Sequence, residues 1–151
     1  MMGSEDDLMG REIKFRAWVK SETGGTWYMS YPRWIDLEGK RICTESGLQP
    51  SEFELMQFTG LRDKNCKEIY EGDIVVINSQ RFHIRFETGS FMLVRCSGET
   101  DMYARFKDCW NDDVYPISQY CWNDDVKEDT IYSLEVIGNI YENPGLLEVA
   151  Q

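Results

Sequence analysis

The feature that most constrains the fold is a series of short apolar segments separated by turns. The middle of the chain reads DIVVIN, RFHIRFE and FMLVRC, with turns at Ser79–Gln80 and Thr88–Ser90. β-Branched and aromatic residues dominate these segments, and RFHIRFE alternates between apolar and polar positions, as half-buried strands do. Because short turns join neighbouring strands, we expect a mainly β fold whose antiparallel meander forms a small barrel or sandwich of the SH3-like kind.

Two hairpins are expected before the meander. EIKFRAWV places its odd-numbered apolar residues on one face and Lys14, Arg16 and Trp18 on the other. The turn SETGG joins this strand to TWYMSY, and WIDLEGKRICTES is typical of a second hairpin around its Glu-Gly-Lys turn.

Short helical segments and a final strand complete the predicted elements. Ser51 and Glu54 have capping-box spacing, which allows one helical turn at most. TIYSLEVIGNIY predicts a strand or a pair of strands with a bulge at Gly138. Asn143 followed by Pro144 predicts a cap and a first-turn proline ahead of a short helix.

The chain has 151 residues, which fits one domain. We expect a flexible leader or an artificial remnant at 1–10, a single β domain at 11–147 and a tail at 148–151. An N-terminal hairpin subdomain at 11–50 is the alternative division of that domain.

Composition narrows the function classes. The net charge is −11, from 27 acidic and 16 basic residues, which disfavours general binding to nucleic acid or anionic membranes. The five cysteines are odd in number, lack a Cys-x-x-Cys pair and accompany no secretory signal, which indicates reduced thiols in the cytoplasm. No apolar run approaches the roughly 20 residues of a membrane span.

The stretch LMQFTGLRDKNCKEIYEGDIVVIN concentrates carboxylates in turns. Asp63, Glu71 and Asp73 are predicted to cap the backbone, as turn carboxylates usually do. The alternative makes Glu71 and Asp73 a pair for acid–base or metal chemistry, which needs a nearby base. The only histidine is His83, which the alternation places on the polar face of its strand.

Three blocks carry a resemblance to a known family. In order, REIKFRAW, LMQFTGLRDKNCKEIYEGDIV and EVIGNIYENPGLL resemble the YopX-like proteins of bacteriophages and prophages. The resemblance implies a β-rich protein of a bacterial host cell that forms homo-oligomers, and it supplies no catalytic residue, cofactor or metal site. We assign the blocks a structural signature carried by Gly60, Asp63, Asn65, Tyr70, Glu71, Gly72, Asp73, Gly138, Asn139, Tyr141, Asn143 and Pro144.

One residue departs from the family pattern. The family's turn reads Asp-Lys-Asn-Gly, whereas Cys66 follows Asn65 in this chain. Glycine accepts positive φ at low cost, and another residue there costs on the order of 1 kcal/mol. Either the turn changes type or it carries modest strain.

The hexamer CWNDDV occurs at 109–114 and again at 121–126. A metal site would combine Cys109 and Cys121 with the carboxylates of Asp112, Asp113, Asp124 and Asp125. That set mixes soft and hard ligands, and its spacing fits neither a zinc ribbon nor an EF-hand. We favour a surface duplication, with Trp110 and Trp122 either packing on the intervening strand or exposed as a partner-binding surface.

The sequence supports three hypotheses for the function. The first is a non-enzymatic accessory protein that self-associates and binds an unidentified host or phage macromolecule, because the chain lacks the common catalytic motifs. The second is an acidic mimic of DNA, since nine acids face three bases between Glu99 and Asp129.

The third function is a small-barrel nucleic-acid binder. Its basic strand residues would be Lys14, Arg16, Arg81, His83, Arg85 and Arg95. If the chain were an enzyme, Cys66 or His83 would be its nucleophile or base.

Overall fold

The computed structural model describes residues 12–87, 89–96, 114–118, 126–127 and 129–148. The chain divides into two compact units, Met1–Gly60 and Leu61–Gln151. The prediction of a mainly β, antiparallel fold is confirmed, with one short parallel contact. Within the described residues the sheets stay open, and none closes into a barrel. The predicted single domain, with or without its subdomain, stays a prediction.

Hairpins build the first unit, and both predicted hairpins are confirmed. Strand β1 lies between β2 and β5 and is antiparallel to both, while β3 pairs with β4. β5 is ten residues long, so it extends well beyond the predicted LMQFT, and its last two residues belong to the second unit. The strands are β1 (Phe15–Lys20), β2 (Trp27–Ser30), β3 (Trp34–Asp36), β4 (Arg41–Cys43) and β5 (Phe53–Arg62).

The core of the first unit forms on the odd-numbered face of β1. Ala17 and Val19 are fully buried and pack with Ile42 of β4. The alternation fails at two positions. Ile13 is exposed because it precedes the strand, and Arg16 is only 4% exposed because it lies mid-strand opposite the buried Met56.

A five-stranded sheet dominates the second unit, in the order β10-β9-β8-β7-β13. The predicted meander is confirmed as β7, β8 and β9, which pair in succession. A short parallel contact joins Thr130 of β12 to Arg62 of β5. The strands are β6 (Glu68–Tyr70), β7 (Asp73–Ile77), β8 (Gln80–Glu87), β9 (Ser90–Arg95), β10 (Val114–Pro116), β11 (Val126–Lys127), β12 (Thr130–Ile131) and β13 (Leu134–Asn139).

The first turn of the meander lies one residue earlier than predicted. Asn78 and Ser79 form the loop, with φ values of 51° and 65°, and Gln80 already belongs to β8. Positive φ at both loop residues is the geometry of a type I′ hairpin, whose twist matches that of the strands. Asparagine tolerates this conformation better than most residues, which explains why the loop includes Asn78.

The sheet of the second unit is buried on both faces. Phe82, Ile84 and Leu93 contribute to the main core on one face. On the other face His83 lies opposite Ile74 and Val94, and all three are buried. His83 shares its strand face with Arg81 and Arg85, as the alternation predicts, but its own position is buried between Ile74 and Val94 and not solvated.

The C-terminal elements follow the prediction in part. The register between β13 and β7 shifts between Val136 and Gly138, which confirms the bulge. A 3-10 helix follows at Pro144–Leu147, but Asn143 makes no side-chain capping bond to it. Residue 51 lies in a bend before β5 and carries no helical turn. No helix in the described part of the chain is long and apolar enough to cross a bilayer.

Candidate partner-binding surface

Asp63 organises the turn at the centre of the signature. Its side chain is fully buried, and Oδ1 accepts hydrogen bonds from the backbone N–H groups of Asn65 and Lys67, both at 2.9 Å. Oδ2 accepts from the N–H of Val136 on β13, also at 2.9 Å. Both carboxylate oxygens therefore bind the chain's own backbone and hold the turn against β13.

Cys66 closes this turn in a left-handed conformation. Its φ is 64°, and its N–H donates to the carbonyl of Asp63 at 2.9 Å. Of the two alternatives for the turn, the structure has the strained one, because the backbone keeps the conformation that glycine would favour.

The corner before β7 is fixed by Gly72 and Asp73. Gly72 has a φ of 88°, donates its N–H to Ile84 and accepts at its carbonyl from Ile140. The buried Asp73 accepts the N–H of Tyr70 at 2.8 Å. The corner therefore ties β7 to β8 and to the end of β13.

The C-terminal block is held by its asparagines. Oδ1 of Asn139 accepts the N–H groups of Tyr141 and Glu142, at 3.0 and 2.8 Å. Oδ1 of Asn143 accepts the N–H of Asn139 and lies 2.5 Å from where a Cβ on Gly138 would stand. A side chain at the bulge position would displace Asn143, so the packing favours glycine there. Pro144 begins the 3-10 helix, and Gly60 has a φ of 87° within β5.

Several predicted nucleic-acid-binding cations have partners within the protein. Lys14 pairs with Glu12 at 3.1 Å and lies over the ring of Phe58. Arg85 pairs with Glu87 at 2.9 Å.

The remaining strand cations are also engaged. Nη2 of Arg81 donates to the carbonyl of Glu148 at 2.6 Å, and Arg95 lies over the ring of Phe82. Arg16 and His83 are buried. Because these cations are paired or buried, they do not form the open basic strip that a groove for the nucleic-acid backbone needs.

A group of exposed apolar side chains stands out in the first unit. We call Trp27, Tyr31, Trp34, Leu37 and Leu48 the apolar set; their exposed fractions run from 39% to 63%. They make up five of the nine exposed large hydrophobic residues in the described chain. Exposed apolar side chains concentrated in one region mark interaction sites more often than scattered ones do.

Hydrogen bonds and strand pairing bring Tyr31 and Trp34 of the apolar set next to the segment that carries Leu48. The N–H of Tyr31 donates to the carboxylate of Glu45 at 2.8 Å, and Trp34 pairs with Cys43 across the β3–β4 hairpin. The N–H of Thr44 donates to the carbonyl of Leu48 at 2.8 Å, and the N–H of Leu48 donates to Oγ1 of Thr44 at 3.0 Å. Residues 31–34 and 43–48 are thus neighbours in space.

The sequence prediction of a partner surface missed the apolar set. Its signal is present in TWYMSYPRW, which has four aromatic residues in nine, more than a small hairpin core can bury. Leu37 is a second sequence signal, since it is a large apolar residue in a tight turn.

Two acidic groups in the first unit are tuned by local hydrogen bonds. The side chain of Ser51, and then its N–H, donate to Glu22 and lower the pKa of that carboxyl group. The N–H of Gly39, and then the side chain of Arg41, lower the pKa of Asp36. Glu22 borders an open polar notch of about 190 Å³ whose other lining residues are Lys20, Ser21, Gly25, Ser51 and Glu52.

Other predicted sites lie outside the described residues. They include the leader, both tryptophans of the repeat (Trp110 and Trp122) and the proposed metal ligands at 109–113 and 121–125. Most of the acidic stretch behind the DNA-mimic hypothesis lies there too, so that hypothesis stays a prediction. Among the described residues, no three His, Cys, Asp or Glu side chains are grouped to hold a metal ion.

Comparison with known proteins finds a matching family and similar solved structures. The model of the family described as YopX protein matches residues 14–148. The crystal structure of protein EF1440 from Enterococcus faecalis is similar, with a TM-score of 0.56 and 27% sequence identity; the match covers 92% of this chain and all of that one. No curated protein matches the chain.

Proposed function

We propose that this chain, which belongs to the YopX family, is a non-enzymatic accessory protein of phage or prophage origin. In this proposal it acts in the bacterial cytoplasm, associates with itself and binds a macromolecular partner through the apolar set. The observation that carries the proposal is the concentration of exposed aromatic and leucine side chains at 27–48.

The chemistry of the apolar set suits protein recognition. Tryptophan and tyrosine are enriched at the energetic centres of protein interfaces, where they bury large areas at low entropic cost. Trp34 and Tyr31 are 42% and 49% exposed, so a large part of each side chain is available to contact a partner. Arg33 lies between them in sequence, and arginine shares this enrichment.

The state of the signature carboxylates supports a non-enzymatic role. A general base must reach a substrate proton. Asp63 instead directs both oxygens at backbone N–H groups, and Asp73 is buried with an oxygen on the N–H of Tyr70. The hydrogen bonds of these two carboxylates therefore stabilise the turn and the corner of the fold.

Affinity capture tests the proposal. Tagged wild-type protein and a Tyr31→Ser/Trp34→Ser variant are incubated with bacterial lysate, with and without nuclease, and bound proteins are quantified by mass spectrometry. We expect a stoichiometric protein that survives nuclease with the wild type and falls at least about tenfold with the variant, as for loss of interface anchors.

A matched control uses Tyr132→Ser, which removes a similarly exposed tyrosine from the second unit. We expect this variant to capture the partner as the wild type does. Equal capture by the wild type and the Tyr31/Trp34 variant would contradict the assignment of the surface. Recovery of nucleic acid, with all protein lost on nuclease treatment, would contradict protein recognition.

A further inference from the structure

Strand β2 is an open edge without a charge, a proline or a bulge. It is the last strand in its sheet order, and within the described residues its outer side meets no other strand. Proteins protect such edges with charges, prolines, bulges or very short strands. The sequence of β2, WYMS, is uncharged, and it pairs with β1 in continuous register from Trp27 to Ser30.

The other edge strands in the described chain carry one or more of these protections. β3, β4 and β6 have three residues each and include the charged Asp36, Arg41 and Glu68, respectively. β13 carries the bulge at Gly138. β10 has three residues and ends in Pro116, and β11 has only two residues. The contrast makes β2 the described edge best suited to accept another strand.

The pairing pattern shows which backbone groups of β2 point outward. The N–H of Lys20 donates to the carbonyl of Glu52 on the β5 side, so the groups of Lys20 face away from β2. Its partner in register, Trp27, therefore directs its N–H and C=O outward, and Met29 does the same two residues later. Tyr28 and Ser30 direct theirs at β1.

Of the outward backbone groups in the described residues, only the N–H that follows the strand has a partner. The N–H of Tyr31, next in the outward series, donates to the carboxylate of Glu45. For Trp27 and Met29, no bond to these outward groups is found within the described part of the chain. The open edge is therefore short and centred on Tyr28.

We propose that β2 pairs antiparallel with β2 of a second copy of this chain, across a two-fold axis at Tyr28. The inference rests on the self-association in the proposed function and names its surface. Trp27 of each copy then lies opposite Met29 of the other. The outward N–H and C=O groups of both residues therefore form hydrogen bonds across the axis. A register centred on Met29 would require the N–H of Tyr31, which Glu45 already occupies.

The side chains fit this register. Trp27 stacks on Trp18 with ring centroids 6.4 Å apart, and Met29 lies opposite Trp18 on the same face. Pairing places Met29 of one copy beside Trp27 of the other, a favourable sulfur–aromatic contact. β2 brings no charge to the axis, so the electrostatic repulsion between copies comes from the net charge of −11 on each, and salt screens it.

Site-resolved hydrogen exchange on the wild-type protein tests the inference, alongside its mass by light scattering. We expect the mass of two chains or an even multiple, with a larger fraction paired as ionic strength rises. The amides of Trp27 and Met29 should exchange at least about tenfold more slowly as concentration rises. Those of Tyr28 and Ser30 already face β1, so their exchange should change far less.

Charge substitutions at the edge give an independent readout. Met29→Lys and Trp27→Lys should shift the protein to single chains, whereas Tyr132→Lys, with the same charge change in the second unit, should not. Association with unchanged exchange at Trp27 and Met29 would overturn the β2 inference and leave self-association standing. A single-chain mass at every concentration would overturn self-association itself.

Discussion

The carboxylate of Asp63 accepts a hydrogen bond from the backbone N–H of Val136, 73 residues further along the chain, at 2.9 Å. The contact joins the middle signature block to the final one. The two blocks therefore depend on each other in the fold, through one turn and one bulged strand.

Replacement of Asp63 by asparagine should destabilise the fold. The amide has one acceptor oxygen, whereas the carboxylate serves three N–H donors across both oxygens. We expect the free energy of unfolding to fall by about 2–4 kcal/mol, measured by urea denaturation. Glu135→Gln, which breaks only an exposed pair with Lys64, should change it by less than about 0.5 kcal/mol. Equal effects would refute a structural role for Asp63.

Cys66→Gly should stabilise the protein. The residue has a φ of 64°, which glycine adopts without the clash of a Cβ. We expect a gain of about 1 kcal/mol in the free energy of unfolding. Cys66→Ala keeps the Cβ and serves as the control, with no comparable gain. A glycine variant no more stable than the alanine variant would show that the turn is unstrained.

The sequence predicts local features of this fold well. β-Branched and alternating residues predict the three strands of the meander, and the Gly138 bulge follows from a lone glycine in a strand pattern. Alternation assigns Arg16 and His83 to the correct faces of their strands, but it does not predict that neighbouring strands bury both positions. The contact between Asp63 and Val136 has no local signal, since it depends on how distant segments meet.

The apolar set illustrates a different limit. Sequence pattern separates apolar from polar positions, but it does not say which apolar residues lack a layer to cover them. Trp34 lies on a three-residue strand and Leu37 in a turn, and among the described residues of the first unit no further element buries them.

Gly138→Ala should destabilise the C-terminal block. An added Cβ would stand 2.5 Å from Oδ1 of Asn143, which must move and weaken its bond to the N–H of Asn139. We expect a loss of about 1–3 kcal/mol in thermal or urea unfolding. Gly145→Ala is the matched control, because its added Cβ meets no atom within 4 Å. A Gly138 variant as stable as this control would contradict the packing described.

Asp36 should contribute an acid-sensitive increment of stability. Bonds from Gly39 and Arg41 lower its pKa in the folded state below the ordinary value of 3.8. The increment is therefore fully present above the pKa of the unfolded chain, and it is lost as pH falls through the folded pKa. A carboxyl titration followed by NMR should place the midpoint below 3.8, and Arg41→Gln should raise it. A wild-type midpoint at or above 3.8 would contradict these bonds.

In the proposed division of roles, the signature residues hold the fold while the apolar set carries binding. Partner capture per folded molecule, measured side by side for Asp63→Asn and Trp34→Ser, separates these two roles. We expect Asp63→Asn to be less stable but to capture the partner normally when folded, whereas Trp34→Ser should keep its stability and lose capture. Loss of capture by folded Asp63→Asn, with normal capture by Trp34→Ser, would contradict this division of roles.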